Sequence, residues 1–307
     1  MMKVTEKKRS DRRADRRCRD TARIKEMRRT RWFFVPSLIG VSLFFLAPFL
    51  VVIYYSLVDN PISGDFVGLS NFIALLQNTA FRRAAANTAT FSLIAVPLAV
   101  IIPLLFAILL MEKIPMKSLF RTILISPLMV PTASVVLIWE VLFHYEGTVN
   151  NFLTAFSIDR IDFFKSDWSL LVIVCLFLWK NIGYNMILFM AALAGIPKDI
   201  LEAAQLDGAG ALRTFWKIKL PYLSSTILFV TILSLINSFK VFREVYLLTG
   251  EYPYDSLYML QHFMNNTFVS LDYQKLSSAA ILMALVMIVI IGLLFLADRF
   301  VGRDIEE

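Results

Sequence analysis

The chain has 307 residues, of which 58% are hydrophobic and only 18% are charged. Soluble domains carry about 25% charged residues, so this composition favours a protein with several membrane-spanning segments. The formal net charge is +7, but residues 1–31 hold 14 Lys and Arg against five acids, and the other 276 residues sum to −2. This basic tail lacks the aromatic interleaving and the folded module of a nucleic-acid binder, and beside a membrane span it indicates an inner-leaflet anchor.

The residue types of enzyme chemistry do not cluster in this sequence. Cys18 and Cys175 lie far apart, which fits neither a disulfide framework nor metal-ligand spacing. His144 and His262 lie in separate loops, and the chain has no GxxxxGK[ST] phosphate loop and no HExxH motif. We therefore expect no catalytic residues, no metal site, no cofactor bound by this chain and no enzymatic activity of its own.

Six apolar segments are long enough to cross the hydrocarbon core as helices, which takes about 20 residues. They are residues 32–57, 88–111, 119–142, 169–193, 223–247 and 278–297. The first is too long for a cleaved signal peptide, so it is interpreted as a span, which Pro36 and Pro48 should kink. The sequence predicts an all-α polytopic membrane protein with six transmembrane helices. Its predicted divisions are a basic tail (1–31), a transmembrane domain (32–300) and a C-terminal tail (301–307).

The distribution of basic residues predicts which side of the membrane each loop faces. Six spans place both termini on one side, and 23 of the 31 Lys and Arg lie on that side, in the two tails and the loops 112–121 and 195–221. The three opposite loops hold five. By the positive-inside bias, we expect both termini to be cytoplasmic in a multi-pass protein of a bacterial-type cell membrane.

Residues 195–222, GIPKDILEAAQLDGAGALRTFWKIKLPY, form the longest amphipathic interval on the predicted cytoplasmic side, between the fourth and fifth spans. Pro197 suits the first position of a helix, and Lys198 to Leu206 contains good helix formers. Asp207 to Gly210 has turn chemistry, so the segment predicts a helix, a turn and a second helix. Such a segment either lies passively on the headgroups or docks a partner, whose close approach its small central residues would allow.

The same segment resembles the EAA loop of ABC importer permeases, most of all the carbohydrate family built like the maltose system. The matching positions are Glu202, Ala203, Ala204, Asp207, Gly208, Ala209, Phe215, Ile218, Leu220 and Pro221. In that family the loop supplies a coupling helix that seats in a cleft of the cytoplasmic ATPase subunit. The resemblance implies that the first five of these residues couple this chain to an ATPase.

Polar residues inside the predicted spans form a second candidate site. A charged side chain at the bilayer centre costs about 2.5–3.5 kcal/mol on insertion scales, so it usually faces protein or water. These residues, from mid-depth outward, are Lys180, Asn185, Asn237, Lys240, Arg243 and Glu244. Two interpretations stay open. In the first, Lys180 and the pair Lys240 and Glu244, which are four residues apart on one helix face, pair within the bundle or extend to the membrane interface. In the second, these residues line a hydrated path for a polyhydroxylated solute.

The resemblance implies a permease subunit of an ABC importer that moves a sugar or oligosaccharide inward. It implies a second homologous permease subunit, two ATPase subunits that bind ATP, and an extracellular substrate-binding protein as partners within a lipid membrane. An importer for a non-sugar solute would keep the 195–222 segment and change only the path. A secondary carrier would need no ATPase-docking helix and would often show inverted repeats and ion-binding carboxylates at mid-depth. A structural or signalling membrane protein is the third alternative.

Overall fold

The computed structural model describes residues 34–112 and 114–302, with side chains as far as residue 298. The predicted basic tail, residues 1–31, and most of the predicted C-terminal tail lie outside the described residues. The described ranges form helices joined by short turns and loops. In chain order these are α1 (Phe34–Leu57), α2 (Ser70–Gln77), α3 (Thr79–Met111), α4 (Lys117–Ile125), α5 (Thr132–Phe143), α6 (Thr148–Ala155), α7 (Ser169–Ala194), α8 (Lys198–Leu206), α9 (Ala211–Thr214), α10 (Leu220–Tyr222), α11 (Ser224–Lys240), α12 (Phe242–Thr249), α13 (Leu260–Val269) and α14 (Tyr273–Gly302).

Five helical stretches are long and apolar enough to cross a membrane: α1, α3, α7, the pair α11 and α12, and α14. A sixth is the bent unit that runs from α4 through α6, so the described ranges hold five spans or six. The prediction of an all-α polytopic membrane protein is thereby confirmed. In α3 the helix begins nine residues earlier than predicted, because the Asn78 side chain caps it by accepting from the Phe81 N–H at 3.0 Å.

The third predicted span is not the continuous helix that residues 119–142 were expected to form. Helix α4 ends at Ile125, a 3₁₀ turn covers Ser126–Met129, and α5 begins only at Thr132. Pro127 and Pro131 account for the break, since each lacks a backbone N–H and restricts the residue before it. The two helical halves, Lys117–Met129 and Thr132–Ala155, are bent by 105°.

Proline is accommodated twice by a widened helical turn. In α1 a π turn at Ser42–Leu46 stands immediately before Ala47 and Pro48, and the Ala47 N–H bonds to the Ser42 carbonyl. The same arrangement precedes Pro221, where a π turn covers Phe215–Lys219. A proline cannot donate to the i−4 carbonyl and its ring crowds that oxygen, so a wider turn relieves the conflict.

The core is built around α3 and α7, which pack along one another. One buried cluster surrounds Phe91 and Phe177, whose rings meet edge to face with centroids 5.5 Å apart. A second cluster surrounds Met186 and Phe189 and includes the start of α11. Helix α1 packs on α14 at the edge of the bundle, and its apolar window is entirely unburied within this chain.

Candidate functional site

The 195–222 segment is anchored to the bundle by apolar residues from both of its halves, Ile196 and Leu201 in the first and Phe215 in the second. Helix α8 begins at Lys198, so Pro197 is the residue before the helix and not its first position as predicted. Ile196 is 6% exposed in the cluster formed by α7 and the start of α11, and Leu201 packs against the same cluster. This apolar anchor fixes where α8 leaves the end of α7 and holds its opposite face outward.

The five predicted coupling residues divide between the two faces of α8 and the turn after it. Glu202 and Ala203 are exposed, as are Asp207 and Gly208, whereas Ala204 is 8% exposed and faces inward. Ala204 is therefore placed to support the helix, and Glu202 and Ala203 are placed to meet a partner. Whether these residues couple to an ATPase remains a prediction.

Gly208 ends α8 in a way that requires glycine. Its φ is +74°, the left-handed region that costs an ordinary L-residue about 1–2 kcal/mol. The Ala209 N–H bonds to the Ala204 carbonyl at 2.9 Å and the Gly208 N–H bonds to that of Gln205 at 3.0 Å, which is a Schellman motif. The glycine thus turns the chain sharply at the tip of the exposed helix.

Sequence reasoning missed three large apolar side chains on the outside of this segment. Leu206, Leu212 and Trp216 are 89%, 73% and 58% exposed. Their exposure makes them available to a partner protein or to the membrane surface. Their signal was present in the sequence as bulky apolar residues inside an otherwise polar loop.

A polar cavity of about 360 Å³ lies between α7, α11, α12 and the 3₁₀ turn. Its lining residues are Leu128, Leu176, Phe177, Lys180, Asn181, Asn237, Lys240, Val241, Arg243 and Glu244. Five of the six residues predicted for a solute path are therefore brought together. Asn181 is an additional member, and its side-chain oxygen accepts from the Asn237 amide at 3.1 Å.

The pairing within this cavity differs from the expected one. Glu244 forms its salt bridge with Lys180 of α7, and not with Lys240 four residues before it. The Lys180 ammonium also lies 3.5 Å from the Thr132 hydroxyl at the start of α5. A turn at Val241 separates α11 from α12, and Lys240 and Glu244 lie on either side of it. The ion pair instead ties α7 to α12.

Asn185 does not lie at this cavity. Its side chain is 2% exposed and donates to the Ala99 carbonyl of α3 at 2.8 Å and to the Ser234 hydroxyl of α11 at 3.1 Å. The amide therefore joins three helices in the core, which accounts for a polar group at mid-span without a solute. A separate groove of about 690 Å³, between α3, α11 and α14, is lined almost entirely by apolar side chains.

His262 is a buried titratable group just outside the spans. Its side chain is fully buried; Nδ1 accepts from the Met259 N–H at 3.3 Å, and Nε2 has no hydrogen-bond partner among the described residues. Burial lowers its pKa to about 4 from the ordinary 6.5. The neutral imidazole is thus the form that the fold accepts.

We expect this histidine to make the protein sensitive to acid. Below pH 6.5 the His262 imidazole takes up a proton in the unfolded chain, whereas in the folded chain it does so only near pH 4. The free energy of unfolding therefore falls as the pH falls through this window. The loss at pH 5 should be about 2 kcal/mol. Thermal unfolding of the purified protein in detergent at pH 7.5 and pH 5 measures it. His262→Gln should flatten the dependence, whereas His144→Gln, at an exposed site, should leave it unchanged; equal slopes in both variants would refute the assignment.

The chain is a polytopic membrane protein with a charged cavity within its spans and a short exposed helix between two of them. Residues 66–307 match the family described as the binding-protein-dependent transport system inner membrane component. The chain belongs to this family and is an inner membrane component of such a system. The resemblance that the 195–222 segment indicated is confirmed at this level.

Similar proteins cover most of the chain. It is 30% identical over 278 residues to the sn-glycerol-3-phosphate transport system permease protein UgpA of Yersinia enterocolitica, which covers 89% of this chain and 93% of the relative. It is 32% identical over 213 residues to the arabinooligosaccharides transport system permease protein AraP of Halalkalibacterium halodurans, covering 65% and 67%. The fold matches, with a TM-score of 0.78 and 23% identity, a chain from a bacterial ABC transporter involved in the import of the acidic polysaccharide alginate, covering 91% of this chain and 99% of that one.

Proposed function

We propose that this chain is the transmembrane permease subunit of an ABC importer that moves a sugar or oligosaccharide inward. The observation that carries the proposal is the exposed helix α8, held outside the bundle between the fourth and fifth spans in a chain of this family. The relatives named for glycerol phosphate and arabino-oligosaccharides support a polyhydroxylated solute. The polar cavity between α7, α11 and α12 supplies the hydrogen-bonding groups that such a solute needs.

The partners follow from the same proposal. The chain carries no phosphate loop, so ATP would be bound and hydrolysed by two separate ATPase subunits, and no cofactor is assigned to this chain. A second homologous permease subunit would complete the path. The family description supports a binding protein that delivers the solute, and the excess of Lys and Arg on one side supports cytoplasmic termini and a cytoplasmic α8.

In this proposal α8 works as a lever between the ATPase and the path. Its apolar anchor at Ile196 and Leu201 fixes it to the ends of α7 and α11, which carry cavity residues deeper in the bundle. A movement imposed on the exposed face would therefore reach Lys180 and Asn237 through two packed helices. Coupling of this kind requires the ATPase to bind one state of the bundle more tightly than the other.

A pull-down with a charged substitution on the exposed face tests the proposal. In Ala203→Asp a bulkier, ionised side chain blocks the close approach that alanine allows, so the co-expressed ATPase should be lost from the purified complex and uptake should cease. Ala155→Asp is the matched control, because Ala155 is also exposed at the end of a helix. It lies beyond the other end of α7, which is about 39 Å long.

Insertion and folding are measured alongside by membrane yield and by thermal unfolding, and both variants should resemble the unchanged protein. Retention of a normally coupled ATPase by a well-folded Ala203→Asp variant would overturn the role of α8. Recovery of the unchanged protein without any ATPase would favour a carrier that works alone.

A further inference from the structure

We propose that the solute carries negative charge, and that the cavity between α7, α11 and α12 binds its anionic group. This inference rests on the proposed importer function and adds the chemical class of what is imported. The inference arises from the side chains that line the cavity, because the cationic ones outnumber the carboxylates.

The cavity holds three cationic side chains and one carboxylate, within the residues that line it. Glu244 is engaged by Lys180, and the two side chains are 10% and 23% exposed. Lys240 and Arg243 also line the cavity, and neither forms a salt bridge within the described residues. The site therefore presents two uncompensated positive charges beside a neutralised pair.

The Lys240 and Arg243 side chains are exposed and lie in the second half of the Ser224–Thr249 span. Ionisable residues within a span usually face a partner or a water-filled path. Both side chains border the turn at Val241 and line the polar cavity. An anionic ligand supplies the missing countercharge when it occupies this site.

The donor set also fits the shape of one kind of anion. A guanidinium offers two parallel N–H donors to a carboxylate or phosphate, and an ammonium adds a point charge without geometric demand. Asn181 and Asn237 bond to each other at 3.1 Å, and their remaining amide donors and acceptors suit hydroxyl groups. Together these groups favour a hydroxylated anion such as a sugar acid or a polyol phosphate.

The cavity volume limits how much of the solute is held at once. About 360 Å³ is near the lower end of the range of about 300–1,000 Å³ for ligand pockets, so one charged unit fills it. A monomer would bind whole, and an oligomer would pass with one acidic unit at a time in the site.

The test compares matched anionic and neutral solutes in cells that carry the complete transporter and lack competing systems. The probes are sn-glycerol 3-phosphate against glycerol, and digalacturonate against the neutral galactose disaccharide. Their binding to the substrate-binding protein is measured first by calorimetry, and uptake of radiolabelled solute follows. We expect the anionic member of at least one pair to bind and to be taken up, and its neutral counterpart to do neither.

Three variants then assign the selectivity to the cavity. Arg243→Gln and Lys240→Gln should each lower anion uptake by about tenfold, the loss expected for one charge-assisted hydrogen bond. Lys165→Gln, at an exposed loop position, should have no effect. All variants must reach the membrane and retain the ATPase in a pull-down, so that a failure of the importer assignment is seen separately from a failure of this one.

The uptake measurements can either support or refute the proposal of an anionic solute. Uptake of a neutral solute with no uptake of the anions overturns the proposal, and so do Arg243→Gln and Lys240→Gln variants that assemble normally and transport anions at the unchanged rate. Anion uptake that falls in both cavity variants and survives in Lys165→Gln supports it.

Discussion

Replacing Lys180 with alanine is expected to destabilise the folded protein by about 3 kcal/mol, the lower end of the cost of breaking a buried ion pair. The destabilisation arises from Glu244, the partner that remains buried after the substitution. Glu244 is 10% exposed, so its carboxylate would lose the one cation that it contacts within the described residues. The link between α7 and α12 would be lost at the same time, and the cavity would lose its shape along with the pair.

A double-mutant cycle measures the interaction itself. Lys180→Met and Glu244→Leu are made singly and together, and the midpoint of thermal unfolding is followed in detergent at fixed pH and salt. Each single variant should be less stable than the double variant, because only the singles leave a charge without its partner. Additive losses would mean that the two side chains do not interact.

The matched control is an ion pair at the surface. Lys275 and Asp272 also form a salt bridge, three residues apart, but their side chains are 39% and 35% exposed. Exposed pairs contribute about 0–1 kcal/mol, so Lys275→Ala should shift stability little. A loss in Lys275→Ala equal to that in Lys180→Ala would show that burial is not what distinguishes the two pairs.

The contrast between these pairs shows why the sequence predicted the charged residues and not their partners. The i,i+4 spacing of Lys240 and Glu244 shows only that these two side chains can meet, and it carries no information about a competing partner on another helix. The partner that Glu244 takes, Lys180, is 64 positions away in the chain. No local sequence pattern predicts which membrane-spanning helices pack against one another.

Asn185 illustrates the same limit for an uncharged group. An amide at mid-span is equally suited to a solute path and to bonding a neighbouring helix, and only the positions of the Ala99 carbonyl and the Ser234 hydroxyl decide between them. By contrast, the bounds of α8 and the turn after it were predictable. They depend on local chemistry, on Pro197 before the helix and Gly208 after it.

The interruption of the third span lies between these cases. Pro127 and Pro131 stand in the sequence four positions apart and are local signals for a break. The third span was predicted from its apolar length alone, and proline is tolerated in membrane helices when neighbouring groups satisfy the freed carbonyls. Here the chain bends by 105° instead, and the polar cavity opens beside the resulting turn at Leu128.

Gly183→Ala is the second substitution for which we expect a large effect, because the glycine lies where α7 packs directly against the backbone at the end of α4. A Cβ atom built on Gly183 would lie 2.1 Å from the Leu124 carbonyl oxygen and 2.9 Å from the Ile125 Cα. These are backbone atoms, which cannot rotate aside as a flexible side chain can. The two helices would have to separate, at a cost of about 3 kcal/mol, the upper end of the usual range for overpacking.

Separation of α7 from α4 should also change the shape of the polar cavity. Leu124 and Ile125 end α4 directly before the 3₁₀ turn that contributes Leu128 to the cavity wall, and Lys180 lies one helical turn before Gly183. We therefore expect Gly183→Ala to lower both the unfolding midpoint in detergent and the rate of solute uptake, while Gly183→Ser, with a larger side chain, lowers both further.

Gly292→Ala supplies the control, since Gly292 lies within helix α14 and a Cβ there meets no atom within 4 Å in the described part of the chain. Alanine in an open helical position should stabilise the fold by about 0.5–1 kcal/mol relative to glycine. The two alanine variants should therefore shift the unfolding midpoint in opposite directions. Stabilisation by both Gly183→Ala and Gly292→Ala would mean that α7 and α4 can move apart freely. The wall of the charged cavity would then not be fixed by this contact. The selectivity of the cavity would have to arise from its cations alone.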